Sequence, residues 1–398
     1  MRVSLLGTSA LAGAIVVALP AFLASQAWAE ESIKLAVGGY FKSAYMVVID
    51  DDEEGEPGNG NNTDGFFSDS EIHFTGSTML DNGLEIGARV ELEGETDEDQ
   101  VDEAWIWFSG GFGEVRIGSD DDALANSCIV PPGGTANFSA FSPNQWGANF
   151  NFLGSNTICT GVDDVSDAQK ILYISPAFAG FQLTASYTPN PDAETHIDNG
   201  GPHLGMPASD FNVADADLSA YLTYTYEGDN WGLTWGGGGS WEVNLDGQDF
   251  GPFEVDANEQ DSYQTALNVT VGQFAFGAAF EYQNDIVNID AGVLGRQELD
   301  AWVAGGGMSY THDAWIFGLQ YSYSDQDLVV DSAFFDDGTA EIVQQRAVAT
   351  VNYAMGPGIN VDGEIGYTWE DIDPENSLLD EDPDYDGIEF GIGTSLTF

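Results

Sequence analysis

The chain has 398 residues, with 67 Asp plus Glu against only 8 Lys plus Arg, a formal net charge of −59 and a pI near 4.1. Nucleic-acid binding is excluded, because no basic surface is available to neutralise phosphates. A disordered acidic tail is excluded too: the chain is 43% hydrophobic and 12% aromatic, so it must bury a large apolar surface or shield it with lipid. With 49 Gly and 14 Pro, it suits many strands and turns rather than a helical bundle.

In chain order, Arg2 precedes an apolar run from Leu5 to Leu23, then Ala27-Trp28-Ala29 and Glu30-Glu31. A short basic start, an apolar stretch and a small-x-small site predict a secretory signal peptide over residues 1–29, leaving 30–398 as the exported domain. Pro20 and the small, polar end suit cleavage rather than a retained helix. No later apolar run reaches the roughly 18 residues that a spanning helix needs.

From Gly83 onward, period two takes over. Leu84, Ile86, Ala88, Val90 and Leu92 share one face, and Glu85, Arg89, Glu91 and Glu93 the other. Phe181 to Thr188 and Tyr263 to Val271 repeat the pattern. The final segment sets Ile388, Phe390, Ile392, Leu396 and Phe398 against Glu389, Ser395 and Thr397.

Short turns punctuate these segments at Asp81–Gly83, Gly110–Gly113, Pro176–Gly180, Gly228–Asn230, Gly272, His312–Asp313 and Gly356–Gly358. Long acidic stretches lie between them, at about 49–66, 94–99, 119–167, 189–216, 244–260, 285–297, 325–342 and 371–385. Seven short turns alternating with eight long loops predict an all-β, 16-stranded antiparallel up-and-down barrel crossing an outer membrane. A soluble sandwich also alternates polar with apolar, but it does not need hairpins of one polarity. Closure removes open edges, and a barrel of this size encloses water that the polar face can meet. Tyr40, Tyr45, Trp105, Trp107, Tyr221, Tyr224, Tyr226, Trp231, Trp315, Tyr367 and Trp369 lie near strand ends, where interface girdles are expected.

Five stretches carry a family likeness: Gly39–Tyr45 (GYFKSAY), Asp81–Glu93 (DNGLEIGARVELE), Glu103–Gly118 (EAWIWFSGGFGEVRIG), Ile171–Tyr187 (ILYISPAFAGFQLTASY) and the terminal Phe398. Together with the loop alternation, they make the chain resemble the Gram-negative general-diffusion porins, particularly the alphaproteobacterial type. The resemblance implies a passive channel for small hydrophilic solutes and ions, built as a homotrimer. It also implies a third loop folded into the lumen as a constriction, and a terminal Phe398 read by the barrel-insertion machinery.

Within that frame, strand parity turns Lys42, Arg89, Arg116 and Lys170 toward water. The third loop supplies Asp120, Asp121, Asp122, Asp163, Asp164 and Asp167. Opposed acids and bases across a narrow passage set up a transverse field. Leu172 stands where many such porins carry a further base, which weakens the basic side. An alternative for each base, Arg89 above all, is that it merely neutralises the carboxylates beside it. The mouth is acidic at Asp50–Glu54, Asp97–Asp99 and Glu381–Asp386, and charge of one sign concentrates counter-ions, so cation selectivity is expected.

Cys128 and Cys159 are the chain's two cysteines, and both fall in the third loop. An oxidising envelope allows a bridge between them, with two free thiols as the alternative. Asp382-x-Asp384-x-Asp386 copies half of a calcium loop, but Gly393 stands where the closing Glu belongs. Looser Ca²⁺ or Mg²⁺ binding among the acidic external loops is the remaining metal expectation. Motifs for nucleophilic, zinc-hydrolase and phosphate chemistry are missing, so no enzyme is expected. A barrel lipase would need His73 on the lipid face, yet parity sets it beside Glu71 and Thr75 in the lumen. A substrate-specific channel, for sugars for example, is the rival reading.

Overall fold

The computed structural model describes residues 32–50, 63–94, 101–141, 157–159, 168–189, 216–243, 248–250, 253–255, 260–290, 296–331, 338–375 and 384–398. The predicted signal peptide, most of the acidic mouth clusters, and Asp163, Asp164, Asp167 and Asp382 lie outside the described residues.

Period two becomes strands at once. They are β1 (Lys34–Asp50), β2 (Asp64–Met79), β3 (Glu85–Glu93), β4 (Ala104–Gly110), β5 (Gly113–Ser119), β6 (Gln169–Ile174), β7 (Phe181–Thr188), β8 (Ala216–Glu227) and β9 (Trp231–Val243). A small hairpin, β10 (Gln248–Phe250) with β11 (Phe253–Val255), interrupts the following loop. The wall resumes with β12 (Asp261–Val271), β13 (Phe274–Asp290), β14 (Arg296–His312), β15 (Trp315–Asp331), β16 (Gly338–Gly356), β17 (Ile359–Glu375) and β18 (Asp384–Thr397). Each barrel strand pairs antiparallel with its sequence neighbours, and β18 returns to β1, closing sixteen strands. At the seam Gly39 and Phe398 exchange backbone hydrogen bonds, each 3.1 Å long.

All seven predicted turns are hairpin turns. Those at Gly113 (φ 104°) and Gly180 (φ 90°) use the left-handed region that glycine alone enters without strain. Three predicted loops are shorter than the sequence suggests. The flanking strands run into the stretches around 285–297, 325–342 and 371–385 from both sides, with Val287 opposite Leu299 and Gln326 opposite Ile342. Asp and Asn disfavour strands locally, but pairing on both sides overrides that preference. The wall is consequently uneven: β4 to β7 have 6 to 8 residues, whereas β13 to β17 have 17 to 19.

Outward positions hold Leu183, Leu267, Phe276, Leu319, Ile365, Phe390 and Ile392, all exposed on the isolated chain. Inward positions hold Ser186, Ser219, Glu281, Ser322, Gln344, Arg346 and Glu389, all buried. Outward aromatics form two belts. On the short-turn side Tyr226 meets Trp231 at 4.6 Å, Phe274 meets Tyr310 at 4.8 Å and Trp315 meets Tyr353 at 4.5 Å. On the long-loop side Tyr45 meets Phe66 at 4.7 Å and Trp302 meets Tyr323 at 4.9 Å. From Trp302 to Tyr310, at about 3.4 Å per residue and about 40° of tilt, the apolar height is roughly 20 Å, close to an outer-membrane hydrocarbon band.

Four of the expected girdle residues are not in a girdle. Tyr40, Trp105, Trp107 and Tyr221 occupy the inward register. Tyr40 bonds Asp69 and Glu71, Trp105 is 8% exposed, the Trp107 ring lies against Gly87, and Tyr221 bonds Gln264.

Candidate functional site

The third loop leaves β5 and immediately forms one helical turn, α1 (Ala123–Ser127). Asp122 caps it, accepting from Ala125 N–H at 2.7 Å, and its other oxygen accepts from Ser240 on β9. Inward serines hold the turn to the wall: Ser186 on β7 accepts from Ala123 N–H, and Ser219 on β8 from Leu124 N–H. The backbone then passes along the far wall. Gln264 of β12 donates to Ile129, Gln320 of β15 to Pro131 and Thr350 of β16 to Gly133. At the tip, Asp362 of β17 accepts from Thr135 Oγ1 (2.5 Å), Asn137 N–H (3.2 Å) and Asn137 Nδ2 (2.8 Å). Phe138 packs on Ala44 and Met46 of β1, while Phe141 joins Ala266, Ala279, Val303 and Val348.

Glycines make room for this approach. A Cβ at Gly307 or Gly318 would run into the carbonyls of Pro132 and Gly133, and one at Gly391 into the Phe138 ring. Cys128 and Cys159 are bridged, with Cα atoms 5.6 Å apart. Cys159 N–H donates to Glu281 on β13. The bridge therefore ties the segment beside β7–β9 to one held on β13.

The inner face of β1 to β5 is different, for its polar groups bond mostly to one another. Lys42 Nζ lies 2.9 Å from Asp69 and 4.3 Å from the centroid of the Tyr40 ring. Arg89 pairs with Glu91, and its Nη2 lies 2.9 Å from His73 Nδ1. Arg116 bonds Glu114 at 2.7 Å and Asp120 at 3.1 Å. Both guanidinium groups sit 5.4 Å from the Trp105 ring, on which cations are favoured. Side chains of Lys42, Arg89 and Arg116 keep 24%, 33% and 20% exposure. A cavity of about 430 Å³ opens beside them, lined by Tyr40, Lys42, His73, Thr75 and Arg89.

Two expected members of the charge set lie elsewhere. Lys170 is 3% exposed, and its Nζ donates to the carbonyls of Asp120 and Ala168, so it clamps the loop's base instead of lining a passage. Asp122 is 2% exposed, because capping α1 and binding Ser240 use both its oxygens. Asp121 stays at the loop's start, its N–H donating to Glu103. Burial, then the charges of Asp121, Asp120, Glu91 and Asp102, push the Glu103 carboxyl up to about 9. Burial also raises Asp120, against the pull of Arg116 and Lys170. Asp386 accepts from Tyr367 on the outer surface at 2.5 Å, and β18 begins at Asp384, so these two carboxylates stand on a strand, not in a loop.

A family description reading "Gram-negative porin" matches residues 10–373. The chain belongs to the Gram-negative porin family. The porin is 24% identical over 414 residues to a monosaccharide porin of a Halomonas species, spanning 98% of this chain and 99% of that one. The same figures hold for a major outer membrane protein of Halomonas elongata. Among solved structures it matches an anion-selective porin from Comamonas acidovorans (TM-score 0.55, 14% identity, 92% of this chain and 100% of that one). It also matches the trimer form of Vibrio cholerae OmpT (TM-score 0.54, 15% identity, 92% and 100%). These structural likenesses concern the fold. Family and closed barrel together make the protein an outer-membrane channel.

The porin's inner wall also holds functional residues outside the predicted charge set. Asp69, Glu91 and Glu114 pair with Lys42, Arg89 and Arg116, while Glu71 pairs with His73, whose Nδ1 meets Arg89. Glu281, Gln320, Thr350 and Asp362 hold the loop. Leu172, which stands where many such porins carry a further base, is fully buried.

Proposed function

We propose that this porin is a passive diffusion channel for small hydrophilic solutes and ions with a preference for cations, and that the passage runs between the third loop and the β1–β5 wall. Lys42, Arg89 and Arg116 line its narrowest part, and Asp120, buried, stands behind Arg116. One observation carries the preference: Lys42, Arg89 and Arg116 on that wall are each already paired with at least one carboxylate, at 2.9 Å for Lys42 and 2.7 Å for Arg116. Glu71 and the acidic mouth then tip the local potential negative, which concentrates cations and repels anions. Screening shrinks the effect as the Debye length falls from about 10 Å at 0.1 M salt to about 3 Å at 1 M.

Export by the N-terminal segment, insertion guided by Phe398 and assembly as a homotrimer complete the proposal. The trimer form of the Vibrio relative supports that assembly. Acidic external loops attract Ca²⁺ and Mg²⁺ as loosely held counter-ions. Reversal potentials across a KCl gradient in planar bilayers test the preference. A cation-favouring sign that weakens with salt is expected, and an anion-favouring sign refutes it.

A sugar channel is the second reading, favoured by the Halomonas relative's description as a monosaccharide porin. Against it, the inward rings of Trp105 and Tyr221 are 8% and 0% exposed and so offer a sugar no face to stack on. Concentration-dependent block of the ionic current by a monosaccharide would favour this second reading.

A further inference from the structure

On the β2–β3 wall, beside the cavity, three side chains converge. His73 Nε2 lies 2.8 Å from Glu71 Oε2 and 3.2 Å from Glu91 Oε2. All three ligand atoms fall within 4.8 Å of one another. A divalent ion with metal–N and metal–O bonds of about 2.0–2.2 Å holds tetrahedral neighbours roughly 3.3 Å apart, so the two edges that meet at His73 need only a small expansion to accept one. Glu71 belongs to a second such group with Glu93 and Asp102, which places further carboxylates beside the first.

We propose that Glu71, His73 and Glu91 form a lumen-wall site for a divalent transition-metal cation of the Zn²⁺ class, and that occupation of this site restricts the passage. An imidazole nitrogen with two carboxylates selects such ions over Mg²⁺ and Ca²⁺, which prefer all-oxygen shells. Strand geometry sets the ligands in place. Glu71 and His73 share the inward register of β2, and Glu91 is the direct cross-strand partner of His73 on β3. The cavity at His73 gives access and room for water to complete the coordination.

Arg89 tunes the site. A guanidinium can only donate, so with Nη2 at 2.9 Å from Nδ1, the ring's proton sits on Nε2 and points at the two carboxylates. A bound cation takes that proton's place at Nε2, and the neutral ring keeps its single proton, now at Nδ1. Arg89 Nη2 then turns into the lumen, where a third of its side chain is already exposed. Arg89 therefore competes with the metal by charge and by hydrogen bonding.

Metal binding is independent of the ion preference proposed above; only the effect on current draws on the channel reading. The test is titration of the purified full-length porin in detergent with Co²⁺, followed by its visible ligand-field bands and by displacement with Zn²⁺. Bilayer currents are recorded with Zn²⁺ and with Mg²⁺. The expected result is a site that His73→Gln and Glu91→Gln each weaken at least about tenfold, that His312→Gln leaves intact and that Arg89→Gln tightens. Zn²⁺ should lower the wild-type current at concentrations where Mg²⁺ does not. Heat-modifiable electrophoretic migration checks that each variant is a folded barrel. Zn²⁺ binding that survives His73→Gln at full affinity, or no binding to the wild type at millimolar Zn²⁺, overturns the proposal. Should His73→Gln fail to fold, an Arg89→Gln barrel with unchanged or weaker affinity overturns it as well. Binding without any change in current would refute the restriction and leave the channel reading untouched.

Discussion

The two sides of this barrel use the same inward register for opposite purposes. On β12 to β17, Gln264, Gln320 and Thr350 donate hydrogen bonds to the third loop, Asp362 accepts from it, and Gly307 and Gly318 yield space to its backbone. On β1 to β5, Lys42 bonds Asp69, Arg89 bonds His73 and Glu91, and Arg116 bonds Glu114, and these bases keep partial exposure to the lumen. A polar interior face thus has two outcomes. Where a segment of the chain can satisfy it, it becomes a dry interface; where charges satisfy one another, it can stay wet and conduct. Position across the barrel, not residue type, decides which.

Opening the bridge strikes the dry side hardest. By loop-closure entropy it contributes about 3–4 kcal/mol to holding the loop. Cys128→Ser with Cys159→Ser, or reduction by a thiol, should raise single-channel conductance and noise while the barrel's melting temperature stays near its original value. Asp362→Ala is expected to act in the same direction but less. It removes three bonds at the loop's tip, a loss of about 2–3 kcal/mol once the freed groups meet water. Conductance histograms check both.

The wet side offers a finer probe. With its carboxyl pushed up to about 9, Glu103 is protonated at pH 7, so Glu103→Gln should leave the reversal potential there nearly unchanged. Above about pH 9 the native side chain ionises, and the wild type should gain cation preference that the variant lacks. The folded state holds this proton more tightly than the unfolded chain does. Its contribution to stability is therefore complete below the ordinary carboxylate range and is lost as pH climbs toward about 9.

Much of this architecture is legible in the sequence, because a wall between lipid and water imposes parity on every strand. Turn residues and long acidic stretches then count the strands. The same parity already excludes Tyr40 from a lipid-facing girdle, since it shares a face with Lys42, and Tyr221 shares one with Ser219. Reading aromatics by their distance from turns overlooked that signal. The loop's anchors are harder to see. Thr135 and Asp362 are 227 residues apart in sequence, and no local pattern joins them. A trace exists nonetheless: glycines such as Gly277, Gly307, Gly318 and Gly391 recur in the inward register, where close backbone approach is the usual reason for glycine in a strand. Lys170 shows the limit of parity. Parity turns the side chain inward, but it does not reveal that two carbonyls at the base of the loop occupy the ammonium.

Cysteine reactivity measured on the open channel tests the division between the two sides most directly. Both native cysteines are bridged and silent toward thiosulfonates. Lys42, 24% exposed, and Ser240, fully buried under the cap of α1, mark the two sides. With Lys42→Cys, a charged methanethiosulfonate added to the bath should react and step the current down. With Ser240→Cys it should leave the current as it was. Equal reactivity at both positions, or block at Ser240→Cys alone, would contradict a water path that follows the β1–β5 wall.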